Sequence, residues 1–282
     1  MRLSEASAQY FRAKEIDGYS ASTLKAYRLQ HRLLMKHIGD KDLEEIETNE
    51  LREYIQANSE GRKPATIGHR IRAMHSLFHW LIDEEILVKD PSRKIRERGD
   101  IIRVPKALTP ERFEDLREAC LTPREHVVLE MFFATGARLA ELAGMRRDKI
   151  DWQARAVTII GKGDKEREVY FGFKAALWLQ RYLDTRTDDV PNVLITLRKP
   201  YRPLGKHALY GQVKKIAIRA GMGELVTPHA LRHTFATMML NNGADITVIQ
   251  SLLGHSKIAT TQVYTKLSGK RRRQEYDRFF SQ

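Results

Sequence analysis

The sequence predicts a mainly α-helical protein with one small antiparallel β-sheet, divided into an N-terminal helical domain and a C-terminal α+β domain. Three observations carry this prediction. Apolar residues recur at helical spacing along most of the chain, as they do between Thr66 and Glu85. The segment 155–172 alternates apolar and polar residues around a glycine-rich centre, which is typical of a β-hairpin. A basic stretch without hydrophobic periodicity, from Arg98 to Lys106, separates the two parts.

The domain boundaries follow from that basic stretch. We expect a helical domain over residues 1–97, a linker over 98–107 and a second domain over 108–282 that ends in a tail helix. A chain of 282 residues has room for two domains of ordinary size.

Four helices are predicted in the first domain. Three lie between Ser4 and Ala57, and the second of them begins after cap residues at Ser20 and ends at Gly39. The fourth carries apolar residues that we expect in the core. Basic side chains gather on the second and fourth helices, where they either line a nucleic acid or form a solvated face. They are Lys25, Arg28, His31, Arg32, Lys36, His69, Arg70 and Arg72.

The second domain begins with Thr109, an N-cap residue followed by proline at the first helical position. A second capped helix with an apolar centre ends at Gly136, and a short helix follows it. After the hairpin we expect a helix in 173–186, a short strand with a loop in 192–205, and helices to the end of the chain.

The excess of basic residues indicates what kind of molecule the protein binds. Lys and Arg number 49 against 36 Asp and Glu, a net charge of +13, and the pI is near 9.8. This excess favours a polyanion such as nucleic acid over a merely soluble basic surface. The 42% apolar content excludes a disordered chain.

The cysteine content and the hydropathy of the sequence bear on where in the cell the protein is expected. Cys120 is the only cysteine, so no internal disulfide forms and a reducing environment is expected. The first residues lack an apolar signal region, and no run of 18 apolar residues occurs. We therefore expect a cytoplasmic protein without a membrane partner.

The segment from Thr227 to Tyr264 carries the residues that point to chemistry. His229 and Arg232 are three residues apart and so share one helix face. His255 follows, and Tyr264 comes nine residues after it. A phenol beside cations and hydrogen-bond donors suits phosphoryl transfer, in which charge develops on non-bridging oxygens.

Three motifs, ATGARLAELAGMRRDKID, HALRHTFAT and LLGHSKIATTQVYT, resemble in order and spacing the tyrosine recombinase family of phage integrases and Xer-type enzymes. The resemblance extends over nearly the whole chain, more weakly in its N-terminal third. It implies a helical core-binding domain, a catalytic domain, and site-specific recombination through a 3′-phosphotyrosyl intermediate. It also implies double-stranded DNA sites as partners, a tetramer on two sites, and no requirement for a cofactor, metal or ATP.

The resemblance assigns catalytic roles to six residues. They are Arg138, Lys162, His229, Arg232, His255 and Tyr264. The two arginines clamp the phosphate, because a planar guanidinium binds two oxygens at once. The lysine, for which Lys165 stays open as an alternative, protonates the leaving 5′ oxygen.

The remaining roles also follow from the resemblance. Tyr264 is the nucleophile, and the cations around it compensate for its ordinary pKa of about 10. His229 transfers a proton or contacts the phosphate, and His255 bonds the scissile phosphate. Glu141 shares a helix face with Arg138 and is expected to hold its guanidinium, whereas His233 is expected to serve packing.

Three alternative functions compete with recombination. A zinc site at His229-x-x-x-His233 lacks the glutamate of the HExxH pattern, since Ala230 stands there. Loss of Arg138, Arg232 or Tyr264 would have favoured a catalytically idle DNA-binding regulator, and none of the three is lost. A topoisomerase would share the chemistry, but the separate N-terminal domain favours recombination. The choice between chromosome-dimer resolution, cointegrate resolution and integration or excision stays open.

The C-terminal tail, 267–282, carries Tyr276, Phe279 and Phe280 at helical spacing. A helix this short cannot bury its own apolar stripe, so it must dock either on its own domain or on a neighbouring protomer. The resemblance favours the neighbouring protomer.

Overall fold

The computed structural model describes residues 1–97, 107–161 and 164–254. The chain divides into two compact units, 1–102 and 103–282, which we describe separately. Nearly all of the expected linker, 98–107, lies outside the described residues, so the boundaries at 97 and 108 stay predictions. None of the described helices is both long and apolar enough to cross a membrane.

The N-terminal unit is a bundle of four α-helices. They are α1 (Leu3–Ile16), α2 (Ala21–Ile38), α3 (Thr48–Ala57) and α4 (Pro64–Asp83), with a short 3-10 helix at Leu43–Glu45. Ser20 caps α2 by accepting the Thr23 N–H, and Gly39 ends the helix at φ +83°. Both helix-end signals of α2 are confirmed.

Two of the basic residues expected on an outer face are buried instead. His31 lies on the same stripe of α2 as Leu24, and Arg70 lies on the same stripe of α4 as Met74. The His31 ring bonds Ser7, and Arg70 donates to the Asn58 carbonyl oxygen. For these two residues the prediction of a DNA-lining or solvated position is wrong, because the packing of neighbouring helices covers the faces on which they lie.

The C-terminal unit contains seven described α-helices and one sheet. The helices are α5 (Pro110–Glu118), α6 (Pro123–Thr135), α7 (Leu139–Gly144), α8 (Phe173–Asp184), α9 (Lys206–Arg219), α10 (Pro228–Asn241) and α11 (Ile246–Leu253). Thr109, Thr122 and Thr227 each cap a proline-initiated helix with a side-chain hydroxyl. The apolar helix α6 packs against α8, α9 and α10 and forms the centre of the core.

The sheet has three antiparallel strands in the order β1 (Ile150–Asp151), β2 (Ala156–Ile160) and β3 (Glu166–Tyr170). Strands β2 and β3 form the expected hairpin, in which Val157 pairs with Val169. The two-residue strand β1 was not predicted. It is too short to show an alternating pattern.

The strand expected in 192–205 does not form. This segment makes only single bridges, Arg146 to Asn192 and Ile195 to Pro203. Prolines at 200 and 203 remove ladder donors, and the Arg186 guanidinium binds the carbonyl oxygens of Asn192 and Val193. The bonds of this segment to neighbouring backbone are isolated ones, such as that from the Val193 N–H to the Met145 carbonyl oxygen at 2.8 Å.

Candidate active site

The site begins at the corner between α6 and α7. Gly136 ends α6 in the left-handed region at φ +58°. A Cβ atom there would lie 2.5 Å from the Phe235 ring and 2.9 Å from Leu253. The corner thus requires glycine both for its backbone angle and for the close approach of α10 and α11.

Arg138 stands two residues later, as the N-cap of α7. Its backbone N–H donates to Glu141 Oε2 at 2.7 Å, and its Nη1 donates to Glu141 Oε1 at 2.8 Å. Its Nη2 donates to the Gly254 carbonyl oxygen at 3.0 Å. Over a third of the side-chain area, 37%, stays exposed, so the guanidinium is open to solvent.

Arg232 lies near the start of α10 and is only 4% exposed. Its Nη1 donates to the Gly136 carbonyl oxygen and its Nη2 to that of Leu253, both at 2.7 Å. Its Nη1 also lies 3.9 Å from Glu141 Oε2. These acceptors compensate for the burial of the charge, and they tie the end of α6 to the end of α11.

Glu141 is the carboxylate on which the arginines converge. It is 4% exposed and receives bonds from Arg138 and from Arg167, whose Nη1 and Nη2 lie 2.8 and 2.6 Å from its two oxygens. Burial raises the pKa of Glu141, but the bonds from Arg167 and Arg138 outweigh it and lower the pKa to about 2. The carboxylate is therefore ionised at neutral pH.

Arg167 was not among the residues that the sequence indicated. It lies on β3 with a 13% exposed side chain and also donates from Nε to the Leu252 carbonyl oxygen at 2.9 Å. A signal did exist in the sequence. Arg167 and Val169 alternate with exposed residues, so a charged residue occupies an inward position of the hairpin.

The two histidines of α10 differ in exposure. His229 is exposed, and partial burial of its ring, followed by the charge of Arg232, lowers its pKa. His233 is buried, and burial, followed by His229, lowers its pKa. Both rings are thus neutral at pH 7, and the position of His233 fits the packing role expected for it.

Three of the six predicted catalytic residues lie outside the described residues. They are Lys162, His255 and Tyr264. The structure does describe Gly161 and Gly254, which directly precede the lysine and the histidine, and it shows Lys165 exposed. It brings Arg138 and Arg232 together around Glu141 and places His229 beside Arg232, while the catalytic roles stay predictions.

The charges at this centre do not balance. Among the described residues, three guanidinium groups meet one ionised carboxylate, a net charge of about +2, and of the three arginines Arg138 is the most exposed. An excess of positive charge favours oxyanions, and planar guanidinium groups suit phosphate in particular.

Comparison with known proteins agrees with this chemistry. The model of the phage integrase family matches residues 106–271, and that of the phage integrase N-terminal SAM-like domain matches residues 9–85. The tyrosine recombinase XerD of Listeria innocua serovar 6a is 32% identical over 277 residues, covering 93% of this chain and 93% of the relative.

Two solved structures share the fold at 18% sequence identity. The Tn1549 transposon integrase in complex with transposon right end DNA has a TM-score of 0.82 and covers 100% of both chains. A λ integrase dimer bound to a COC′ core site has a TM-score of 0.78 and covers 92% of this chain and 97% of that one. They confirm the mainly helical fold class with its small antiparallel sheet. The chain therefore belongs to the phage integrase family and is a tyrosine-type site-specific recombinase.

Proposed function

We propose that this recombinase cuts and rejoins DNA with Tyr264 as its nucleophile. The phenolic oxygen attacks the scissile phosphorus and forms a 3′-phosphotyrosyl bond, and the 5′ oxygen leaves. The 5′-hydroxyl of a partner strand then attacks the phosphotyrosyl bond and releases the tyrosine. One phosphodiester-type bond replaces another at each step, so the sequence of steps needs no ATP.

The observation that carries this proposal is the positive centre around Glu141. Arg138 and Arg232 are held about one carboxylate, and the exposed part of Arg138 is available to a phosphate. Charge that develops on the non-bridging oxygens is stabilised by guanidinium groups already fixed in place.

The proton transfers are assigned to the remaining predicted residues. His229, neutral at pH 7, accepts the phenolic proton or bonds the phosphate, and His255 donates to the scissile phosphate. Lys162 gives its proton to the leaving 5′ oxygen, with Lys165 as the alternative donor. These assignments rest on the family motif together with the placement of His229 beside Arg232.

The proposed partner is double-stranded DNA bound by a dimer or larger assembly, and in its full form by a tetramer on two sites. The net charge of +13 supports a polyanionic partner. The related Tn1549 integrase was solved with transposon right end DNA, and λ integrase was solved as a dimer on a core site. Exposed basic residues of α2, among them Lys25, Arg32 and Lys36, are proposed to contact the phosphates.

An apolar groove supports self-association. It measures about 800 Å³ and is lined by Phe133, Phe235, Met238 and Met239, with Glu130 among the polar residues. We propose that it receives the apolar stripe of the tail, residues 267–282, from a neighbouring protomer. A cyclic set of such contacts closes a ring.

The nucleophile is tested with Tyr264→Phe and a covalent-capture assay. Because the target sequence is not known, bound duplexes are first selected from a randomised library with this variant and then prepared with a nick near the cut. We expect the wild-type chain to form an SDS-resistant adduct in excess EDTA, and Tyr264→Phe to bind the same duplex without forming one.

Tyr170→Phe is the matched control, because Tyr170 is an exposed tyrosine of the same unit. It is expected to form the adduct at the wild-type rate. An adduct in Tyr264→Phe, or a wild-type adduct lost in EDTA and restored by a divalent metal, contradicts the proposal.

A further inference from the structure

Three successive carbonyl oxygens end α11, and each accepts a hydrogen bond from a different arginine. The pairs are Leu252 with Arg167 Nε at 2.9 Å, Leu253 with Arg232 Nη2 at 2.7 Å, and Gly254 with Arg138 Nη2 at 3.0 Å. The last carbonyl groups of a helix lack partners within it, and its C-terminus attracts cations. The end of α11 is therefore held by the same arginines that converge on Glu141.

Arg167 differs from the other two arginines in what lies on either side of it. A Cβ atom on Gly161 would lie 3.3 Å from Arg167 Nη1 and 3.4 Å from Glu141 Oε1. A Cβ atom on Gly254 would lie 3.0 Å from the same Nη1. One guanidinium group thus packs against two backbone segments, whose next residues along the chain are Lys162 and His255.

Arg167 is poorly placed to contact DNA itself. Its side chain is 13% exposed, and all three of its guanidinium nitrogens donate to groups within the protein. It joins β3, α7 and the end of α11 through bonds to residues 26 and 85 positions away. A role in the reaction must therefore be exerted through other residues.

We propose that Arg167 is a positioning residue of recombination. It fixes the backbone that leads into Lys162 and into His255 relative to the arginine pair formed by Arg138 and Arg232. This inference rests on the proposed function. It adds a residue whose loss impairs the cleavage step while leaving DNA binding intact.

The charge of Arg167 has a second consequence. Glu141 is faced by Arg138 from α7, by Arg232 from α10 and by Arg167 from β3. Burial opposes ionisation of Glu141, and the bonds from Arg167 and Arg138 counteract that effect. Without Arg167 fewer such bonds remain, so the pKa of Glu141 rises. Protonated Glu141 no longer holds Arg138 as an ion pair, and cleavage then falls at a higher pH than in the wild-type chain.

The test compares Arg167→Gln, Arg167→Lys and the control Arg186→Gln in the full chain. Arg186 also makes a buried ion pair, with Asp188, but its bonds lie within 186–193. The probe is the nicked duplex selected with Tyr264→Phe. Duplex affinity, single-turnover adduct rate per folded molecule and the pH dependence of that rate are measured for each variant.

We expect Arg167→Gln to bind the duplex within about twofold of wild type and to form the adduct on the order of 10²-fold more slowly, as misplaced reacting groups do. The acid limb of its rate profile, which is the pH range over which the adduct rate falls as the pH drops, moves to higher pH. Arg167→Lys keeps the charge but has one nitrogen for three acceptor atoms, so its rate is reduced while its acid limb stays near that of wild type. Arg186→Gln keeps the wild-type rate per folded molecule.

Two results overturn the inference. The first is that folded Arg167→Gln forms the adduct at the wild-type rate. The second is that Arg167→Gln and Arg186→Gln lose rate to the same extent and that the acid limb of Arg167→Gln does not move. If Arg167→Gln does not fold, the adduct rate of Arg167→Lys is the test, and a wild-type rate in that variant overturns the inference. Absence of an adduct in the wild-type chain would instead contradict the proposed function.

Discussion

Glu141 shows how one buried side chain organises several cations. An isolated buried carboxylate would bind a proton, yet Arg167 and Arg138 bond to it directly, so the pKa falls to about 2. A third arginine, Arg232, lies 3.9 Å away. The negative charge of Glu141 offsets the repulsion among the three guanidinium groups and so keeps them close together. The arginines are in this way fixed before any phosphate binds.

Arg138 and Arg232 make different contacts, so replacing each with lysine should have different effects. Arg138→Lys keeps a charge at an exposed position, and we expect a folded protein whose adduct rate falls on the order of 10²- to 10³-fold, because the two-oxygen grip is lost. Arg232→Lys also leaves the Gly136 or the Leu253 carbonyl oxygen unbonded in the interior. That loss costs about 1–3 kcal/mol of unfolding free energy.

Thermal unfolding and adduct rates measured in parallel check this pair of predictions. Arg146→Lys is the control, since Arg146 forms an exposed pair with Asp148. A near-normal adduct rate in either active-site variant would argue against a clamp, and equal melting temperatures would argue against the structural part played by Arg232.

At the scale of elements, the site is assembled mainly from helix ends. The end of α6 supplies the Gly136 carbonyl oxygen, the start of α7 supplies Arg138, and the end of α11 supplies three acceptors. Helix ends expose backbone groups that need partners, so side chains with several donors are drawn to them. A small cluster that includes Phe235 and Leu253 keeps α10 and α11 in contact at this point.

The packing of α1 on α2 should respond to pH through His31. Burial lowers the pKa of His31 from 6.5 to about 4, and the backbone of Ala73 beside its ring only partly offsets this. The folded state thus resists protonation, while the unfolded chain binds a proton below pH 6.5. Stability of the N-terminal unit is therefore expected to fall as the pH drops from about 6.5 toward 4, by on the order of 3 kcal/mol.

Hydrogen–deuterium exchange of α2 and α4 peptides at a series of pH values measures this effect. His31→Gln should remove most of the dependence between pH 6.5 and 4, because no group at that position then takes up a proton. His37→Gln, which changes an exposed histidine of the same helix, should leave it intact. An unchanged slope in His31→Gln would show that another group is responsible.

At the scale of the whole molecule, the proposed docking of the tail on a neighbouring protomer makes a prediction about assembly. Deleting residues 269–282 is expected to leave single-site duplex binding largely unchanged. Assembly on two sites and strand exchange should be lost or deregulated, because the groove no longer receives a neighbour's apolar stripe. Gel mobility of one-site and two-site complexes, together with joined products, measures both effects.

A mixing experiment separates docking on a neighbour from docking on the same chain. Met238→Glu alters the groove and leaves the tail intact. If docking is between protomers, mixing this variant with the truncated chain permits one tail-to-groove contact, so paired complexes form that neither variant makes alone. Full activity of the truncated chain by itself would refute a function for the tail.

Much of the helical architecture could be predicted because its signals are local. Hydroxyl caps at Ser20 and Thr109 and the glycine stops at Gly39 and Gly136 act within a few residues, and each marks a helix end in the structure. The failures have a different origin. In 192–205 the backbone makes only isolated bridges, and the two residues of β1 depend on a partner that no local pattern reveals.

The sequence by itself determined the order of helices, the hairpin and the spacing of the family's motif residues, because caps, periodicity and residue spacing are properties of short segments. Only the tertiary structure decided that His31 and Arg70 face a core. It alone revealed that Arg167 joins Glu141, 26 residues away, and that Arg138 reaches Gly254, 116 residues away. Such contacts depend on how packed helices bring distant backbone and side-chain groups within 3 Å, and no local pattern encodes that distance.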